Sequence, residues 1–192
     1  MNKALLDTDI LSEVLKGRNP QVVAQAEAYL RHHAMLTVSA VSVIEVVSGL
    51  QRMARSAQLE QFLGALNAIE VLPVDTQSAV LAGRIDGDLL RTGQPIGRAD
   101  PIIAAQAITH GLVLVTGNVR HYERIVALGY PLRIALLQRG VAMWNNPPDG
   151  GICLCERADS PRSQNSPTTS PNKHSPLTPI PKADTTTPSP NA

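Results

Sequence analysis

The chain opens with a short apolar run, Ala4, Leu5 and Leu6, that stops abruptly at the carboxylates of Asp7 and Asp9. A strand buried between two layers of helices is apolar throughout rather than alternating, so this run predicts a central parallel strand. Ile10, Leu11, Val14 and Leu15 then recur at helical spacing, and Gly17 follows them as a helix-ending glycine. Pro20 opens a second helical pattern through Val22, Val23, Ala26, Tyr29 and Leu30, ending near His32 and His33, which read as surface residues. After a candidate strand at 36–38, Ser39 is placed to cap a long helix whose core face is Val41, Ile44, Val47 and Leu50. A further helix over 56–67 carries Leu59, Phe62, Leu63 and Leu66, and the strand at 69–72 stops at Pro73. Asp75 then caps a helix bearing Val80, Leu81, Ile85 and Leu89, closed by Gly93. Asp100 and Pro101 head an apolar helix that ends at Gly111, a second buried strand follows at 112–115, and a helix over 119–128 leads to a last, edge strand at 131–136. Strands alternating with helices predict an α/β fold, a three-layer sandwich with a central parallel twisted sheet.

The pattern fails from Asn145 onward, where ten of the fifteen prolines stand among Ser, Thr and Asn with almost no apolar periodicity. Such a segment cannot recover its ordering entropy by burial, so the expectation is a domain over 1–143 and a disordered tail over 144–192. With 192 residues and 43% apolar content the rest can build a sizeable core. A net charge of +1 excludes a generally basic nucleic-acid coat, while leaving room for a local patch. The two cysteines, Cys153 and Cys155, complete neither a zinc site nor a disulfide framework, and no window approaches a membrane span. These features predict a soluble, cytoplasmic protein with no membrane partner.

In open α/β sheets ligands bind beyond the C-terminal ends of the strands, which is where Asp7 would stand. Capping of the first helix by Asp7, Thr8 or Asp9 is the competing explanation, and for Asp9 the two weigh equally. Glu45 lies on the long helix with Ser42, Ser48 and Gly49 stacked around it, leaving space beside its carboxylate; taken alone it also fits an ordinary solvated position. Asp100 before Pro101 is equally the expected N-cap and first-turn pair. Together, however, Asp7, Glu45, Asp100 and Asn118 would meet at one sheet edge, where three uncompensated carboxylates raise one another's pKa and a divalent cation reverses that cost. Oxygen donors without His or Cys suit Mg²⁺ or Mn²⁺, and the chemistry that follows is phosphodiester hydrolysis.

These residues sit in four ordered stretches that resemble the motifs of PIN-domain ribonucleases, above all the VapC-type toxins of bacterial toxin–antitoxin pairs. The stretches are Leu5-Leu-Asp-Thr-Asp-Ile-Leu-Ser12; 39–45 with Gly49; Ile96-Gly97 with Asp100 and Ile103-Ala-Ala105; and Leu114-Val-Thr-Gly-Asn-Val-Arg-His-Tyr122. The resemblance implies a single α/β domain with Mg²⁺- or Mn²⁺-dependent endoribonuclease activity, often on tRNA or ribosomal RNA, inhibited by a small cognate antitoxin. It implies Asp7, Glu45 and Asp100 as metal-binding acids, Asn118 as a fourth catalytic position, and Thr116 as the residue that orders the turn holding Asn118. Asn118 stands where many PIN nucleases have Asp, and the tail has no counterpart in the usual domain.

Two other readings fit parts of the pattern. Asp7-Thr-Asp9 after a strand resembles the first motif of haloacid-dehalogenase-type phosphatases, but no lysine occurs between Lys16 and Lys173 and no paired acids follow Thr116. An inactive PIN-like fold kept for partner contact is the other. For the nuclease, Arg98 and Arg120 flank the site, with Arg52, Arg55 and Arg124 toward the same end. Aromatic content of 3% favours recognition of RNA backbone and shape over base stacking. Leu11, Val14, Leu15, Val46, Val47, Leu50, Met53, Leu59, Phe62 and Leu63 offer more apolar helix surface than one sheet covers, which suits an antitoxin helix or a homodimer.

Overall fold

A computed structural model describes residues 2–136. The expected boundary at 143 and tail over 144–192 lie outside the described residues. Five strands, β1 (Ala4–Leu6), β2 (Leu36–Ser39), β3 (Ile69–Leu72), β4 (Val113–Thr116) and β5 (Arg133–Leu136), form one sheet in the order β3-β2-β1-β4-β5. Every pairing is parallel, and β1 lies at the centre between β2 and β4. Helices α1 (Thr8–Lys16), α2 (Pro20–Leu30), α3 (Ala40–Arg52) and α4 (Ser56–Ala65) connect the first three strands. Helices α5 (Thr76–Arg91) and α6 (Asp100–Thr109) lead to β4, and α7 (Val119–Ala127) leads to β5. The predicted α/β sandwich with a central parallel sheet is the fold observed.

The two-residue period of a strand divides the core. Leu5 and Leu114 point to one face, against Ile85, Leu89, Ile103 and Ile125 of α5, α6 and α7. Ala4, Leu6, Val38 and Val115 point to the other, against Ile10, Leu11, Tyr29 and Phe62 of α1, α2 and α4. Because both faces are covered, β1 is buried at all three positions, which is why its sequence is uniformly apolar.

Local signals placed several helix ends correctly. Ser39 accepts from Val41 N at 3.0 Å, Asp75 from Ser78 N at 2.7 Å, and Gly17 closes α1 at φ 60°. Others moved. The helix at 56–67 ends at Ala65 and tightens into a 3₁₀ turn over Leu66–Ala68, and β4 begins one residue later than expected. The core face of α3 is rotated: Val43, Val46, Val47 and Leu50 pack inward, whereas Ile44 is 65% exposed. With apolar residues at 41, 43, 44, 46 and 47, periodicity alone could not fix which stripe faces the sheet.

Candidate functional site

The parallel register of β1 and β4 aligns Leu6 with Val115, so the next residue of each strand, Asp7 and Thr116, meets at the sheet's C-terminal edge. Asp7 N donates to Val115 O at 2.9 Å, and Thr116 Oγ1 donates to Asp7 Oδ2 at 2.7 Å. Thr116 Oγ1 also accepts from Asn118 N at 2.9 Å, which is the turn-ordering contact expected of it. Asp7 rather than Asp9 caps α1, accepting from Thr8 N at 2.8 Å, and the helix therefore starts at Thr8. Capping uses one oxygen of Asp7 and leaves the other to Thr116.

Glu45 reaches the same edge from α3. Its Oε2 accepts from Thr8 Oγ1 at 2.5 Å, so the residue next to Asp7 ties Glu45 to the strand end. Glu45 is otherwise exposed, in keeping with the open space its small neighbours predict. Asp100 is not the N-cap of α6; Ala99 is, and the helix has no side-chain cap. The Asp100 carboxylate turns instead toward α7, where its Oδ2 lies 2.7 Å from His121 Nδ1. Asn118 Nδ2 lies 2.8 Å from the same ring nitrogen. Capping therefore does not account for Asp100.

Three neighbours join the site: Asp9, for which capping and function weighed equally in the sequence, and His121 and Tyr122, which the sequence reading did not single out. Asp9 Oδ2 accepts from Gly117 N at 2.8 Å while its Oδ1 accepts from Ile10 N at 2.6 Å, clamping the β4–α7 turn to the start of α1. The approach is close enough that a Cβ on Gly117 would stand 2.6 Å from Asp9 Oδ2. His121 follows Asn118 by one helical turn, a spacing visible in the sequence, but its partner Asp100 lies 21 residues away on another element. Tyr122 is fully buried, and among the described residues its hydroxyl has no partner at hydrogen-bonding geometry.

The electrostatics are those of crowded acids. Burial raises the Asp7 pKa above its ordinary value; hydrogen bonds from Thr116 and Thr8 and the nearby Tyr122 hydroxyl oppose that, and Asp100 adds to it. Asp9 is exposed over much of its surface, yet chain packed around its carboxylate raises its pKa, and Asp7 and then Asp100 raise it further. Tyr122 is held neutral by burial and by the charges of Asp7 and Asp100. A cation would offset this repulsion, and the donors fit a hard one: carboxylates, with no thiolate. The side chains are gathered at one edge without converging into a ligand shell; among the described residues no three His, Cys, Asp or Glu are arranged to hold an ion.

Of the expected basic residues, Arg52, Arg55, Arg98 and Arg120 are exposed. Arg124 is engaged within the fold, donating from Nη1 to Pro95 O at 2.9 Å and so holding the loop that precedes Asp100.

Comparison with known proteins places this arrangement. The family model of the PIN domain matches residues 4–126. The chain belongs to the PIN-domain family, and within it to the VapC-type ribonucleases. It is 32% identical over 126 residues to the tRNA(fMet)-specific endonuclease VapC of Salmonella typhimurium, covering 65% of this chain and 93% of the relative. It is likewise 32% identical over 132 residues to ribonuclease VapC2 of Haemophilus influenzae, covering 67% and 96%. Among solved structures it resembles DNA-bound VapBC from Salmonella typhimurium, with a TM-score of 0.61 and 31% identity, over 72% of this chain and all of that one. Family membership sets aside the phosphatase reading of Asp7-Thr8-Asp9.

Proposed function

We propose that this chain is a Mg²⁺- or Mn²⁺-dependent endoribonuclease and the toxin of a toxin–antitoxin pair. The observation that carries the proposal is the crowding of Asp7 and Asp100 with Asp9 at the edge where β1 and β4 end, where Asp100 raises the proton affinity of both neighbours and Asp7 that of Asp9. Asp7, Glu45 and Asp100 are the residues that would hold the metal. When bound, the ion supplies Lewis acidity toward the phosphate and makes the attacking water more acidic. The chain's own contribution is positional. Thr8 fixes Glu45, and Thr116 fixes Asp7 and the backbone of Asn118 together. The neutral amide of Asn118 can bond a phosphate oxygen without adding to the negative charge of the site. Arg98 and Arg120, exposed on either side, suit contacts to RNA phosphates.

The tRNA(fMet)-specific activity of the Salmonella relative makes initiator tRNA the first substrate to offer. The VapBC assemblies among the structural relatives support a small cognate antitoxin as partner. Leu11 and Phe62, expected among its anchors, are buried in the core, at 0% and 4% exposure. Exposed apolar side chains on this side of the chain that could meet a partner helix or a second copy include Leu15 of α1, Ile44 of α3, Met53 just after α3 and Leu63 of α4.

The test is cleavage of an initiator tRNA transcript by the full chain with Mg²⁺, with Mn²⁺ and with chelator, alongside Asp7→Asn and Asp100→Asn. Metal-dependent cleavage that falls to background in both variants is the expected result. Cleavage that survives chelation, or is untouched by both substitutions, overturns the metal-site assignment. A well-folded protein that neither binds Mn²⁺ nor cuts RNA is a PIN-like binding protein.

A further inference from the structure

We propose that His121 is a positioning residue of this site: through its Nδ1 it fixes the Asp100 carboxylate of α6 against the Asn118 side chain of the β4–α7 turn. The inference rests on the nuclease reading above. Both partners lie at hydrogen-bonding distance from one ring atom, Asp100 Oδ2 at 2.7 Å and Asn118 Nδ2 at 2.8 Å.

One imidazole nitrogen either donates a proton or offers a lone pair, so Nδ1 cannot both donate to a carboxylate and accept from an amide NH₂. A carboxylate only accepts, and a lone pair on Nδ1 would face Asp100 repulsively. Nδ1 therefore carries the proton, and Asn118 must turn its amide oxygen, not its NH₂, toward the ring. That exchange alters only which end of the amide is nitrogen. One N–H is then shared by Asp100 Oδ2 and Asn118 Oδ1, and the two Asn118 N–H donors are released from the histidine to meet a phosphate oxygen.

The same helix holds the approach to Asp100 a second time. Arg124, three residues beyond His121 and on the same side of α7, donates to Pro95 O in the loop that enters α6. Gly97 in that loop lies so close that a Cβ there would stand 3.1 Å from Asp100 Oδ2. Asp100 has no capping bond within its own helix, and among the described residues its carboxylate is held by His121. With the side chains of His121 and Asp100 35% and 17% exposed, the contact is sheltered enough to orient the carboxylate without sealing it from solvent.

The experiment uses the full chain with His121→Ala, His121→Asn and His121→Gln. The amide nitrogen of Asn can occupy the place of Nδ1, whereas that of Gln reaches toward Nε2, so the two substitutions ask which nitrogen matters. Mn²⁺ affinity is measured by titration, kcat and KM on an initiator tRNA transcript, and Tm in chelator. In His121→Ala, Mn²⁺ affinity and kcat should each fall about tenfold or more, the range for residues that orient metal ligands, with KM changed far less. His121→Asn should recover most of both losses and His121→Gln little. Wild-type Mn²⁺ affinity and kcat in His121→Ala, equal rescue by Asn and Gln, or losses that track Tm alone would overturn the proposal. Asp100→Asn separates this failure from that of the nuclease reading: if it abolishes cleavage while His121→Ala does nothing, only the role of His121 falls. If wild type cuts no tRNA, the Mn²⁺ titrations decide between them.

Discussion

Asp7 is asked to cap a helix, bond a threonine and remain available to a cation, all while buried to 6% exposure. Its folded pKa is raised, so the folded state binds the proton more tightly than the unfolded chain, whose value is near 3.8. Stability from this group is then greatest at low pH and is lost as pH rises from that value through the raised folded pKa. In chelator at pH 7, Asp7→Asn should melt above wild type, and the gap should close toward pH 4. Mn²⁺ should raise the wild-type Tm and leave the variant's unchanged. A variant that melts lower at every pH would show that the hydrogen bonds to Asp7 outweigh the cost of burying its charge. Gly117 gives a second prediction. Gly117→Ala puts a Cβ 2.6 Å from Asp9 Oδ2 and breaks the clamp on the β4–α7 turn, so urea unfolding should show a loss of about 1–2 kcal/mol, with cleavage reduced as well. Asp9 is exposed enough to swing aside, which sets the cost at the lower end.

At the scale of elements, what matters is how β1 and its neighbours are held, because the site hangs from the ends of β1 and β4. Ala4 N, at the opposite end of β1 from Asp7, donates to Tyr29 Oη of α2 at 3.1 Å inside the core. Tyr29→Phe removes that acceptor and should cost about 1 kcal/mol in equilibrium unfolding, leaving kcat at the wild-type value since the site lies at the other end of the strand. A fall in kcat with stability unchanged would mean that α2 influences the site in some way other than by anchoring β1. Helix α7 plays the complementary part. Tyr122 and Ile125 bury one side of it, which places Asn118, His121 and Arg124 along the margin facing α6.

For the whole molecule, Ile44 is the most informative surface residue, since α3 carries Glu45 next to it. An apolar side chain 65% exposed on a helix whose Val43, Val46, Val47 and Leu50 pack inward is unaccounted for by the core. Ile44→Asp should leave the isolated chain's Tm and tRNA cleavage intact and weaken association, either with the product of a small neighbouring reading frame or with a second copy. The mass of the protein alone and with that partner distinguishes the two. A stable homodimer that forms no complex and cuts RNA at an unchanged rate would remove the antitoxin from the picture and leave the nuclease in place.

Much of this protein is decided locally. The uniform apolarity of 4–6, the glycine after α1 and the caps Ser39 and Asp75 each follow from a few adjacent residues, and with the alternation of strands and helices they imply the parallel sheet. That Asp7 and Asp100 approach each other also follows, since strand ends and the heads of following helices collect at one edge. Tertiary structure decided what spacing leaves degenerate. Which stripe of α3 faces inward depended on packing, because its apolar residues spread over more of the helix than one sheet face covers. Asp100 caps nothing because His121, on a helix that pairs with it only through the fold, holds its carboxylate. Asp9 became a clamp because the register of β1 with β4 brings Gly117 within 2.8 Å. Periodicity records which face of an element is buried; it carries no information about which side chain of another element meets it there, and that pairing sets the chemistry of the site.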